Sequence, residues 1–205
     1  MKFFRYIMPL IVMLTLFACS TINDATGDTI EMNGDVLKAE ISHIVDGDTI
    51  SIKTSSLNLD QVSDPPTLNE LEKIMNEDKK LNVRFLAVDT PEISNGKNER
   101  FGNEARDLVD YMLSNGEVWL EIDEKALFDD YGRLLAHVFT PEGENVQLAL
   151  LKKGLARIAY LYDDYEHVSD YEAAEDSARS EKLNIHSIEG YVTDRGFNMD
   201  VVDDD

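Results

Sequence analysis

Five short runs of β-branched and apolar residues, at 36–45, 49–53, 81–88, 117–122 and 134–140, alternate with stretches of helical periodicity. This order constrains the fold more than any other feature of the chain. The first two runs are joined through Asp46-Gly47-Asp48-Thr49. An Asp-Gly pair between alternating segments predicts a tight hairpin turn, with the glycine expected at positive φ.

From Gly102, the residues Ala105, Leu108, Val109, Met112 and Leu113 share one helical face, and Asn115-Gly116 closes it. Asn145 predicts the cap of a second helix that Gly154 ends, and 167–182 reads as a third with Tyr171, Ala174 and Ala178 on one stripe. Residues 54–80 interrupt the strand pattern. There Pro65-Pro66 gives way to Thr67 and Glu70, a capping box that opens a short inserted helix with Leu68, Leu71, Ile74 and Met75 on its stripe. With 43% hydrophobic residues there is material for a real core. Five strands with helices between and after them, in about 150 residues, predict a mainly β, α+β domain: a five-stranded, antiparallel OB-type barrel with about three packed helices. The domain is expected over 36–190, followed at 191–205 by a loose acidic tail.

The first 18 residues stand apart. Lys2 and Arg5 precede an uncharged, mostly apolar run from Tyr6 to Ala18, too short to span a bilayer as a helix, which takes ~20 residues. This is the pattern of an export signal. Leu16-Phe17-Ala18-Cys19 resembles a bacterial lipobox, with the only cysteine of the chain at the cleavage point and Phe17 bulkier than usual. The expectation is an exported protein with lipid on Cys19, anchored to the cell membrane on its outer side by a polar tether over 19–35; plain secretion is the alternative. A single cysteine excludes a disulfide framework and a Cys-rich zinc site, and the four histidines lie far apart.

Polar residues concentrate at three strand ends. Asp48 and Asp89 supply hard carboxylate oxygens, which suit Ca²⁺ or Mg²⁺ rather than zinc. Glu92 is a third carboxylate, placed to act as a base on a metal-adjacent water. Arg84 and Arg133 carry planar forks that match two phosphate oxygens and can stabilise charge growing in a transition state. Each motif alone is ordinary turn chemistry. Together they are the parts for phosphodiester hydrolysis.

The stretches Val45-Asp46-Gly47-Asp48-Thr49, Arg84-Phe85-Leu86-Ala87-Val88-Asp89-Thr90-Pro91-Glu92, Phe101-Gly102-Asn103-Glu104-Ala105, Asp130-Tyr131-Gly132-Arg133, Gly154-Leu155-Ala156-Arg157-Ile158-Ala159-Tyr160-Leu161-Tyr162 and Glu181-Lys182-Leu183-Asn184-Ile185 occur in an order and spacing that resemble the staphylococcal nuclease (thermonuclease) family. The resemblance runs from Val36 to about Glu189. It implies an OB-type barrel and a monomeric nuclease, dependent on one Ca²⁺ ion and active on both DNA and RNA, in which water attacks phosphorus and the 5′ oxygen leaves. Asp48 and Asp89 would bind calcium through carboxylates and Thr90 through its carbonyl. Glu92 would activate or orient water, and Arg84 and Arg133 would clamp the scissile phosphate. Tyr131 and Tyr160 would line the nucleotide pocket with Tyr162 nearby, although barrel packing is an equal reading for tyrosine. The sequence departs from the family pattern at Asp130, where a lysine is common, and in the loop after Glu92, which is shorter and keeps only Lys97 and Arg100 as cations. Lys97 is the candidate substrate contact of that loop. His186 replaces the family tryptophan and reads as a packing or surface change.

Two other classes compete: a catalytically silent nucleic-acid-binding module of the same fold, and a structural calcium-binding lipoprotein. The first would be expected to lack at least one of Asp48, Arg84, Asp89, Glu92 and Arg133, all of which are present. The second leaves the arginines unexplained. The charge is unusual for a nuclease: 41 acidic residues against 19 basic give −22, or −24 once Lys2 and Arg5 are removed, and 81–190 alone carries −12. Such a surface repels a polyanion at long range, so moderate salt is expected to hold or raise activity, against the usual fall for nucleic-acid binders.

Overall fold

The protein is described by a computed structural model over residues 30–76, 80–94, 96–123 and 125–202. The export signal, Cys19, the tether before residue 30 and the last three aspartates lie outside the described residues. Among the described residues no helix is long and apolar enough to cross a membrane.

The strand runs become β1 (Asp35–Ile44), β2 (Thr49–Lys53), β4 (Lys80–Phe85), β6 (Glu117–Ile122) and β7 (Leu134–Phe139). They pair in the order β1–β2–β4–β7–β6 and back to β1, so five strands close into a ring, the arrangement of an OB-type fold. One pairing differs from the expected all-antiparallel pattern: β4 and β7 run parallel, with Val83 opposite Leu134. Ile50, Ile52, Val83, Phe85, Leu120, Leu134 and Val138 are almost wholly buried and belong to one continuous core. Each such side chain contributes about 1.5–3 kcal/mol by leaving water.

The inserted segment does contain a helix, α1 (Pro65–Met75), but its cap is Asp64 rather than Thr67. The Asp64 carboxylate accepts from the Thr67 amide at 2.9 Å, and Pro65 and Pro66 occupy the first turn, where the missing amides cost nothing. The same segment adds β3 (Asn58–Gln61) to the free edge of β1, a strand the polar sequence of 54–64 hides. Helices α2 (Gly102–Met112), α3 (Val146–Lys152) and α4 (Val168–Ser180) fall where periodicity puts them. The Asn145 side chain caps α3 by accepting from the Leu148 amide at 2.8 Å. Gly154, at φ 62°, ends it in a position where a Cβ would lie 2.6 Å from the Leu183 carbonyl oxygen.

Two further expectations are corrected. The run 81–88 is not one strand: it breaks at Leu86-Ala87, where Ala87 takes φ 65°, and resumes as β5 (Val88–Asp89). There it pairs with β8 (Arg157–Ile158), and Asp89 faces Arg157 in register. The second correction concerns the tail, expected loose from residue 191. Residues 191–202 fold back instead, through the hairpin of β9 (Val192–Thr193) and β10 (Gly196–Phe197). Tyr191 is fully buried, donates to the Arg100 carbonyl at 2.7 Å and packs 5.4 Å from the Phe197 ring. Two aromatics bury enough area to hold a short segment that has no periodicity to betray it.

Candidate active site

The β1–β2 connection brings Asp46 and Asp48 to the end of the ring. The turn closes through Val45 and Asp46 amides donating to the Thr49 carbonyl at 3.0 and 3.2 Å, and the Asp46 side chain accepts from the Asp48 amide. Gly47 is not in the left-handed region that its Asp-Gly setting predicts. It is needed for another reason. A Cβ there would stand 2.6 Å from the Ala105 Cβ of α2 and 2.8 Å from the Thr90 Oγ1, so only glycine lets the turn press against both.

β2 pairs with β4 so that Thr49 faces Arg84, which delivers the guanidinium to the same end of the ring. Arg84 is 8% exposed and spans two carboxylates, 2.5 Å from Asp48 Oδ1 and 3.2 Å from Asp89 Oδ1. The other oxygen of Asp48 accepts from the Thr90 amide at 2.8 Å and from its hydroxyl at 3.1 Å. The other oxygen of Asp89 receives Arg157, at 3.0 Å from Nε and 2.9 Å from Nη2. Asp48, Arg84, Asp89, Thr90 and Arg157 are thus one buried cluster.

Glu92 follows on a loop whose backbone is pinned on both sides by Glu99. The Glu92 amide donates to Glu99 Oε2 at 2.9 Å, and the Glu99 amide donates to the Glu92 carbonyl at 2.9 Å. Gly102 lets the start of α2 approach this loop, since a Cβ would meet the Pro91 carbonyl at 2.7 Å. Burial would raise the Glu92 pKa, but hydrogen bonds from Ser94 and from Asp46 outweigh it and hold the carboxyl below its ordinary value. Glu92 is therefore ionised at neutral pH and able to accept a proton.

Arg133 enters from the turn 129–133, where Gly132 at φ 75° supplies the reversal. Asp129 accepts from the Arg133 side chain at 2.6 Å and from the Tyr131 and Arg133 amides at 2.9 Å each. The tyrosines are not core residues: Tyr131, Tyr160 and Tyr162 are 87%, 51% and 82% exposed. Tyr160, strained at φ 59°, lies with its ring 5.6 Å from the Arg84 guanidinium carbon, and Tyr131 stands at the same distance from Arg133. Lys97 sits 3.7 Å from Glu99 and is largely exposed. All the candidate residues from Asp48 to Tyr162 border one open cleft of about 670 Å³.

Burial, the neighbouring Asp48 and then Glu92 push the Asp46 carboxyl up to about 8. Asp89 is also raised, by burial and Asp48, with Arg157 and Arg84 opposing. Two arginines therefore leave the carboxylates under-compensated. The donors are all oxygens, with no histidine or cysteine among them, which fits a hard divalent cation. Asp48, Asp89 and the Thr90 carbonyl are the residues that would hold it. Among the described residues no three His, Cys, Asp or Glu side chains form a ready-made metal cage, and the Asp48 oxygens are engaged by Arg84 and Thr90.

The raised Asp46 pKa carries a sign for stability. Between about 4 and about 8 the folded protein keeps a proton that the unfolded chain has released, so stability falls as pH rises through that window. His137, buried and pushed down to about 3, acts with opposite sign below 6.5, because there the unfolded chain holds the extra proton. The Asp46 contribution is therefore read between about pH 6.5 and 8. Urea unfolding in chelator should show Asp46→Asn flattening the decline in that range; an unchanged slope would refute the assignment.

Two residues of this site were missed from sequence. Arg157 lies within a motif that matched, but its partner Asp89 is 68 residues away and only the β5–β8 pairing joins them. Asp46 is the first acid of the Asp-Gly-Asp turn and reads as a turn former until its burial is known.

An OB-type ring bearing a carboxylate–arginine cluster at its end defines a phosphodiester-directed class of protein. Residues 82–187 match the family model described as staphylococcal nuclease homologue. The chain is 33% identical to "Endonuclease YncB" of Bacillus subtilis (strain 168), over 93% of this chain and 94% of the relative. It is 36% identical to "SPbeta prophage-derived endonuclease YokF" of the same organism, over 80% of this chain and 49% of that protein. The chain belongs to the staphylococcal nuclease family, and nuclease hydrolysis is the chemistry of that family.

Proposed function

We propose that this protein is a Ca²⁺-dependent endonuclease that hydrolyses phosphodiester bonds of DNA and RNA, leaving 3′-phosphate ends. The observation that carries the reading is the Asp48–Arg84–Asp89–Arg157 cluster beside an ionised Glu92 in one cleft. Endonuclease relatives support it. Bound calcium would supply positive charge against the phosphate oxygens and orient the attacking water. Glu92 accepts the proton of that water as its oxygen forms a bond to phosphorus. The P–O5′ bond breaks and the departing oxygen takes a proton from solvent water, which reaches the open cleft. Arg84 and Arg133 face the equatorial oxygens, where charge grows. For Arg133 this means leaving or sharing Asp129 when substrate arrives. Tyr131, Tyr160 and Tyr162 offer faces on which bases and sugars can pack, and Lys97 a rim cation.

We further propose that the chain acts outside the cytoplasm as a monomer, exported by its N-terminal signal and held to the membrane by lipid on Cys19. The lipobox-like Leu16-Phe17-Ala18-Cys19 supports this. The nuclease reading is tested by digesting plasmid DNA and RNA with purified protein. Cleavage is expected with Ca²⁺ and abolished by chelator, and its rate should hold or rise from low to moderate NaCl as repulsion from the acidic surface is screened. Full activity in chelator would sink the calcium dependence, and a steep monotonic loss with salt the electrostatic reading.

A further inference from the structure

The C-terminal hairpin lies beyond residues 82–187, which define the family match, and yet Arg195, Gly196 and Phe197 form part of the cleft wall. Buried Tyr191 anchors the hairpin, and the Asn198 amide donates to the Tyr191 carbonyl at 2.8 Å. Phe197 lies 5.9 Å from the guanidinium carbon of Arg157, the residue that grips Asp89. Arg195 occupies the turn between β9 and β10. Thr193 Oγ1 fixes that turn by accepting from the Arg195 amide at 3.2 Å and donating to the Gly196 carbonyl at 2.9 Å. The backbone of Arg195 is thus held while its side chain is exposed.

The cations of the cleft differ in one respect. Arg84 is taken by Asp48 and Asp89, Arg133 by Asp129 and Lys97 by Glu99, whereas Arg195 has no carboxylate partner among the described residues. In so acidic a protein an arginine at the cleft with no carboxylate in ion-pair distance among the described residues is available to an incoming anion. Two residues of extended chain, about 7 Å, separate it from the Phe197 that packs near the reacting centre.

We propose that Arg195 is a substrate-binding residue that contacts a phosphate of the polynucleotide away from the scissile bond, so that the C-terminal hairpin favours polynucleotides over short diesters. This rests on the nuclease reading of the same cleft. The test compares wild type, Arg195→Ala and Arg195→Lys on single-stranded DNA and on a dinucleoside monophosphate, which has no flanking phosphate. Arg195→Ala should raise KM for the polynucleotide roughly three- to tenfold with kcat unchanged, as expected for one exposed charge-assisted contact. It should leave the dinucleotide kinetics alone and shift the log–log salt slope of oligonucleotide binding by about +0.7 relative to wild type, whatever the sign of the wild-type slope. Lysine should restore most of the affinity, because an exposed phosphate accepts a point charge. Fluorescence anisotropy with a labelled oligonucleotide gives a readout independent of turnover and should show the same factor in Kd. Unchanged KM and Kd, or an equal loss on both substrates, would overturn the role of Arg195 and leave the nuclease reading standing. An inactive wild type would overturn the nuclease reading instead, with the anisotropy comparison still deciding whether Arg195 binds nucleic acid.

Discussion

Glu92→Gln lowers kcat on plasmid DNA and on RNA by about 10²- to 10⁴-fold, the range that a positioned general base contributes. The substitution keeps the shape of the side chain and an oxygen for the Ser94 amide, now 2.8 Å away. The backbone stays pinned by Glu99. Thermal stability should therefore change little, and the loss belongs to chemistry. What disappears is the capacity to accept a proton, because an amide oxygen is far too weak a base to replace the carboxylate that Ser94 and Asp46 keep ionised. Single-turnover digestion separates this from binding, since KM should stay close to wild type. Rates like wild type in the variant would remove Glu92 from the mechanism.

Arg84→Ala has a double effect. Activity should fall about 10²- to 10³-fold, the usual consequence of removing one group that stabilises transition-state charge. Stability should also fall, by about 3–5 kcal/mol, because a buried guanidinium is withdrawn from two carboxylates that remain. Asp48 and Asp89 are only partly relieved, by Thr90 on one and Arg157 on the other. Arg84→Lys should recover little of either. One ammonium cannot reach both Asp48 Oδ1 and Asp89 Oδ1 in the geometry of the planar fork. Urea unfolding and plasmid digestion on the same preparations check both effects. An alanine variant that kept both stability and rate would show the cluster to be incidental.

The difference between these variants follows from where each charge sits. Glu92 lies on a loop partly open to the cleft and can be neutralised cheaply, while Arg84 lies inside a cluster where each charge compensates another. On the proposed function, the same cluster is what would let a strongly acidic protein hold a phosphate. Its negative charges are mutually engaged with Arg84 and Arg157; of the residual imbalance, part is relieved by the proton that Asp46 keeps at neutral pH, and the oxygens of Asp48 and Asp89 suit a hard cation.

Most of the ring was legible because its strands alternate and its turns carry Asp-Gly and Gly-Arg signals that depend only on local backbone preference. Helix α3 was legible from Asn145 and Gly154 for the same reason. Where two local explanations competed, sequence reasoning chose wrongly. Thr67 and Asp64 are both good caps, and the prolines at 65 and 66 decide for Asp64. Gly47 sits in a pair typical of positive φ but is required by the approach of Ala105 and Thr90, contacts from remote parts of the chain. The hairpin after Gly190 was hidden because its stability comes from Tyr191 packing on Phe101 and Phe197, not from any pattern of its own.

The chemical identities of Asp48, Arg84, Asp89, Glu92 and Arg133, and the expectation that they act together on a phosphodiester, were determined by the sequence alone, since side-chain chemistry and motif order need no coordinates. Only the tertiary structure decided who compensates whom. Arg157 reaches Asp89 through a two-residue strand pairing, Asp46 is buried into a protonated state, the tyrosines stand in the cleft rather than the core, and the C-terminal hairpin brings Arg195 to its wall. Each of these depends on distances between residues far apart in the chain, and on the loss of water around them, which local composition does not encode.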